Sequence, residues 1–128
     1  MPDPVAAPPS ALAMRLRFKR GGDLVLGPGR MDLLARIDSE GSISAAARAM
    51  GMSYRRAWLL VDETNRHFAR PLVESVAGGQ RGGGARLTED GRAVLALYRA
   101  MTAKAEAAMA EEVAALQAML APNDPAAG

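Results

Sequence analysis

The sequence contains no cysteine, which excludes disulfide frameworks, thiolate nucleophiles and cysteine-based zinc sites. It has one histidine, His67, so any metal chemistry would rest on carboxylates alone. No apolar run approaches the roughly 20 residues of a membrane-spanning helix. The opening Met-Pro-Asp-Pro has neither the basic flank nor the apolar stretch of a signal peptide, so the expected setting is cytoplasmic, with no membrane partner. Aromatic residues are few (Phe18, Tyr54, Trp58, Phe68 and Tyr98), and the core must be built largely from Ala, Leu, Val, Ile and Met, which suits close helix packing. Net charge is small too. Sixteen Lys and Arg against fourteen Asp and Glu leave +2, so a basic surface must come from where the charges sit. No nucleophile with its base, no metal cluster and no acid-base dyad can be assembled; Glu111 and Glu112, being sequence neighbours on a helix, point about 100° apart. The chain therefore reads as no enzyme, with no metal site and no required cofactor.

What is present is an ordinary globular balance over 128 residues, enough for one domain and leaving no room within them for a separate sensor domain. Residues 1–13, rich in proline and small residues, read as a flexible tail. Residues 14–92 carry the main module. From Met14 the pattern alternates with period two, and Gly21-Gly22 separates it from Leu24-Val25-Leu26, which predicts a β-hairpin whose basic outer face is either solvated or in contact with nucleic acid. Helical spacing of Met31, Leu33, Leu34 and Ile37 predicts a helix from Gly29 to Glu40, with Gly41 as its stop. A short Ala-rich helix follows, capped by Ser42 or Ser44 and ended by Gly51. The next runs from Tyr54 to Phe68 with Ala57, Leu60, Val61 and Thr64 inward.

Ala47, Gly51 and Ala57 have the spacing of a helix-turn-helix: a small residue where the helices cross, a glycine in the turn and a small apolar residue beyond it. The same pattern fits other helical hairpins. What favours DNA is Ser53-Tyr54-Arg55-Arg56 on the first exposed turn of the second helix, because Arg opposes the helix dipole there yet suits bidentate contact with guanine or phosphate. From Gly41 to Arg92 eight arginines face five acidic residues, whereas from Ala93 onward two basic residues face four acidic ones. Trp58 reads as buried in the core or an interface, with a DNA-facing position as the alternative. Beyond Pro71, Leu72 to Val76 predicts a strand, Ala85-Arg86-Leu87 its partner, and the glycine-rich segment between them, with Gln80 and Arg81, reads as a wing or a plain mobile loop. It lacks the Lys-Ser or Lys-Thr of a phosphate-binding loop.

The final stretch, residues 93–120, predicts one unbroken helix. Its apolar stripe includes Met101, Ala105, Ala108, Met109, Val113, Leu116 and Leu120, and it either pairs with a second copy or folds back on its own domain. Residues 121–128 read as a frayed tail. The expected fold is mainly α with small β: a winged helix-turn-helix with an N-terminal β-hairpin and a long C-terminal dimerisation helix.

Gly41-Ser42-Ile43-Ser44-Ala45-Ala46-Ala47, Met50-Gly51-Met52-Ser53-Tyr54-Arg55-Arg56-Ala57-Trp58 and Gly78-Gly79-Gln80-Arg81-Gly82-Gly83-Gly84 together resemble the N-terminal DNA-binding domain of ModE-type molybdate-dependent transcription regulators. The first of these motifs also resembles the related LysR-type regulators. The resemblance covers about residues 14–120 and implies a homodimer that binds a pseudo-palindromic operator in double-stranded DNA, near genes for molybdate transport or molybdoenzymes. It matches Ser53, Tyr54, Arg55 and Arg56 to the start of the recognition helix and Gln80 and Arg81 to the wing. Ser44 and Arg86 complete the candidate DNA-facing set. Full-length members continue into paired oxyanion-binding modules, so the expectation is a short form lacking them. Two other readings stay open: an interaction protein that heterodimerises with a full-length regulator, and a small oxyanion binder taking molybdate or tungstate.

Overall fold

The computed structural model describes residues 11–77 and 83–122. They fall into two compact units, one of residues 15–101 and one whose described part is 11–14 with 102–122. The first unit opens with an antiparallel hairpin, β1 (Phe18–Arg20) and β2 (Asp23–Leu26), in which Arg20 pairs with Asp23. Its two-residue turn places positive φ on Gly21 (61°), the position where tight hairpin turns favour glycine.

Three helices follow: α1 (Pro28–Glu40), α2 (Ile43–Ala49) and α3 (Tyr54–Arg66). Pro28 occupies the first turn of α1, where its missing N–H is no loss, and Gly41 ends the helix in the left-handed conformation (φ 83°) with its N–H on the Ile37 carbonyl. Of the two serines that could cap α2, Ser42 does so, accepting from the Ala45 N–H at 3.0 Å. Ser53 caps α3 in the same way, accepting from the Arg56 N–H at 3.1 Å. Between these helices Gly51 carries φ 66°, as the predicted turn requires, and Ala47 and Ala57 are both buried.

Helix α3 ends at Arg66, two residues before the predicted Phe68. The His67 and Phe68 N–H groups bond back only three residues, to the Thr64 and Asn65 carbonyls, which tightens and closes the last turn. The antiparallel pair β3 (Val73–Val76) and β4 (Gly84–Leu87) then registers Val73 with Leu87 and Glu74 with Arg86. The Ala85 N–H reaches the Gly41 carbonyl at 2.9 Å, tying β4 to the end of α1. Thr88 opens helix α4 (Glu89–Ala108): its hydroxyl donates to the Pro71 carbonyl and accepts from the Gly91 N–H, while its own N–H bonds the Leu72 carbonyl. Beside it, Asp90 holds Arg70 through two bonds, and that hydrogen-bonded charge raises the Arg70 pKa above its ordinary value.

The core of this unit is the meeting of Leu33, Leu34 and Ile37 of α1 with Ala46 and Ala47, Ala57 and Val61, Leu72, Leu87 and Leu95. The scarcity of aromatics is therefore expressed as a small-residue helix interface, with Tyr98 the one aromatic among the buried described residues and its hydroxyl donating to the Leu16 carbonyl at 2.6 Å.

The predicted single final helix is divided. Helix α4 ends at Ala108 and helix α5 (Ala110–Met119) begins after Met109, whose backbone (φ −103°, ψ 6°) leaves the helical region. Hydrogen bonds still cross the irregularity, from the Met109 N–H to the Ala105 carbonyl and from the Val113 N–H to the Met109 carbonyl. Neither glycine nor proline marks the place, which is why composition gave no sign of it. In the second unit Leu12, within the stretch expected to be a tail, donates its N–H to Gln117 Oε1 at 2.8 Å. Among the described residues no helix is long and apolar enough to cross a membrane.

Candidate nucleic-acid interface

Helix α3 buries one stripe, Ala57, Val61 and Thr64, and this choice dictates what it presents on its other sides. Thr64 is fully buried because its hydroxyl donates to the Leu60 carbonyl at 2.7 Å, so the polar group carries its own partner into the core. From α1, the nearly buried Arg30 reaches across to Glu63 at 2.9 Å and to the Thr64 hydroxyl at 3.4 Å, clamping one flank of α3. At the far end Asn65 accepts from the Leu72 and Val73 N–H groups and donates to the Val73 carbonyl at 3.2 Å, fastening α3 to the start of β3. Position and pitch of α3 are thus fixed by Arg30 on its side and Asn65 at its end.

The residues predicted for DNA contact divide by what they already hold. Ser53, Tyr54, Arg55 and Arg56 stand exposed at the α3 N-terminus. Among the described residues neither Arg55 nor Arg56 has an ion-pair or side-chain hydrogen-bond partner, whereas Arg66 pairs with Asp62, Arg70 with Asp90 and Arg86 with Glu74. The last of these, expected at the interface, is engaged across the β3–β4 ladder at 2.9 Å. Ser44 lies exposed on α2 with its hydroxyl accepting from Arg48 at 3.2 Å. Gln80 and Arg81 lie outside the described residues.

Two uncommitted guanidinium groups at a helix N-terminus are unfavourable with the dipole and gain nothing from neighbouring carboxylates. Such an end is suited to an anionic surface, where Arg can hold phosphate or read guanine. The outer side of α3 also carries one residue whose place the sequence left open and one that it did not single out. Trp58, expected in the core or an interface with a DNA-facing position as the alternative, is 45% exposed, which removes the core, and Leu59 is 40% exposed. At about 100° per residue, Leu59 falls nearly opposite Ala57, so its helical position was the signal available.

The candidate pairing residues lie on α4, at Met109 and along α5 with its end. Met101, Ala105 and Val113 are partly buried, and Ala108, Met109, Leu116 and Leu120 are exposed. In the second unit an apolar cavity of about 610 Å³ is lined by residues 11–14 together with Glu106, Met109, Ala110, Val113, Ala114 and Gln117. In the first, a cavity has Asp32, Arg36, Ser39 and Arg99 on its walls. Among the described residues no three His, Asp or Glu side chains are placed to hold a metal ion.

The chain is 43% identical over 84 residues to the molybdenum transport protein ModE of Azotobacter vinelandii, covering 66% of this chain and 31% of that protein. It is 47% identical over 78 residues to the molybdenum-pterin-binding protein MopB of Rhodobacter capsulatus, covering 61% and 29%. Against the DNA-binding transcriptional dual regulator ModE of Escherichia coli K12 it is 41% identical over 83 residues, covering 65% and 32%. The chain thus spans about a third of the length of these curated relatives. The model of the bacterial regulatory helix-turn-helix proteins of the lysR family matches residues 29–92, from the start of α1 to the first turn of α4, and the chain belongs to that family.

Proposed function

We propose that the protein is a DNA-binding transcription regulator of the ModE type, which acts in the cytoplasm as a homodimer on a pseudo-palindromic operator of molybdate-related genes. The observation that carries this reading is the exposed N-terminal turn of α3, where Ser53 caps the helix and Tyr54, Arg55 and Arg56 have no side-chain partner among the described residues, outside a closely packed helix-turn-helix. Arg55 and Arg56 supply bidentate donors for base edges or phosphate, and Tyr54 supplies a hydroxyl. Arg48 and Ser44 on α2 provide further donors for the backbone. The β3–β4 connection, carrying Gln80 and Arg81, serves as the wing.

Pairing of two copies is assigned to α4 and α5, whose exposed Leu116 and Leu120 have no core of their own to cover them. A two-fold dimer would present its recognition helices about one DNA turn, roughly 34–36 Å, apart. The tie to molybdate rests on the names of the relatives, ModE and MopB. Electrophoretic shift of genomic fragments by the purified chain, with and without molybdate, tests the reading. Retention of fragments upstream of molybdate-transport or molybdoenzyme genes is expected. Failure to shift any fragment at low salt would remove it.

A further inference from the structure

The surface of α3 contains an apolar residue that its own fold does not explain. Leu59 lies nearly opposite the buried stripe of Ala57, Val61 and Thr64 and is 40% exposed. Its ridge holds Arg55 one turn earlier and the Asp62–Arg66 pair, closed at 2.8 Å, one turn later. Once that pair is set aside, the uncommitted groups on the ridge are one guanidinium and one isobutyl side chain. A lone exposed leucine would need no explanation, but the adjoining flank adds Tyr54 and Trp58, both large and exposed, beside the arginines of the same helix end.

We propose that Leu59 is a specificity-determining residue that packs against the C5-methyl group of a thymine in the major groove, beside the contact made by Arg55. The proposal rests on the DNA-binding reading above. The major-groove edge of a base pair presents hydrogen-bonding groups and, at thymine alone, a methyl group, so an apolar side chain among polar readers discriminates in favour of that base. The positive end of α3 and the guanidinium groups of Arg55 and Arg56, unpaired among the described residues, select a polyanion as the covering partner over a neutral protein face. Four residues of helix advance about 6 Å, and base pairs are spaced by roughly 3.4 Å, which sets the thymine about two base pairs from the position read by Arg55.

Replacement of thymine by uracil removes only the methyl group, which allows a direct test. A duplex is first selected from random-sequence DNA with the full chain, and each thymine is then replaced singly by uracil. Removing one buried methyl should weaken binding about fourfold at one thymine per half-site. In Leu59→Ala that same replacement should change nothing, and Leu59→Met should restore the sensitivity. A flat uracil scan with the unaltered chain overturns the proposal without calling on any variant. So does a scan that is equally sensitive in Leu59→Ala, which would assign the methyl contact to Trp58. Unchanged DNA binding by Leu59→Ala together with loss of self-association would overturn it in favour of a second protein copy as the partner of this ridge. If no duplex is selected at all, the regulator reading itself fails, a result distinct from a selected duplex indifferent to its methyl groups.

Discussion

Among the arginines, function is separated from structure by what each already holds. Arg70 and Arg86 are committed to carboxylates of their own fold, whereas Arg55 and Arg56 meet none among the described residues. Loss of Arg55 or Arg56 should therefore leave the unfolding midpoint unchanged. Each alanine variant should weaken specific DNA binding by about 1–3 kcal/mol, read by titration of a selected duplex. Gly91 shows the opposite case. A Cβ there would overlap the Leu72 carbonyl oxygen and press on Leu87. Gly91→Ala should lower stability by about 1–3 kcal/mol in urea unfolding, since the Leu72 carbonyl is held in place by the Thr88 N–H. The serines, Gly51 and the two alanines of the helix crossing were legible because caps, turns and close approach each demand a particular residue type. Trp58 and Leu59 were harder to place, since a large apolar residue on a helix suits the core and a ligand face alike.

At the level of elements, the hairpin, the two short helices and the β3–β4 pair were readable from alternation, helical spacing and glycine. The end of α3 was not. Asn65 uses its side chain for three bonds to Leu72 and Val73, a local diversion that periodicity does not report. Asn65→Ala would leave the Leu72 and Val73 N–H groups without that acceptor, and a loss of about 1–3 kcal/mol is expected in urea unfolding. Because Asn65 links α3 to β3, faster proteolytic cleavage in the β3–β4 connection should accompany the loss. The interruption at Met109 was equally hidden, since Ala108, Met109 and Ala110 are all compatible with helix and only the backbone angles reveal the break.

For the whole molecule, the small net charge conceals an arginine-rich helix-turn-helix and an acidic C-terminal stretch. The second division is between a well-packed unit of residues 15–101 and a C-terminal segment in which Met109, Leu116, Met119 and Leu120 remain exposed. If α5 pairs two copies, Leu116→Glu with Leu120→Glu should convert a dimer to a monomer in sedimentation, with the circular dichroism of the helices largely kept. An unchanged sedimentation coefficient would place the pairing surface elsewhere. Sequence alone showed the apolar stripe but not its partner, because pairing and folding back call for the same residues.

The central claim, that the N-terminal turn of α3 is the DNA-reading surface, is tested most directly by equilibrium titration of a selected duplex across a salt series. The unaltered chain is compared with the Arg55→Ala, Arg56→Ala double variant. The account predicts that the logarithm of the unaltered chain's affinity falls linearly with the logarithm of salt concentration, and that the double variant loses most of its preference over random DNA and shows a shallower slope. Equal affinity, preference and slope in the two proteins would contradict it.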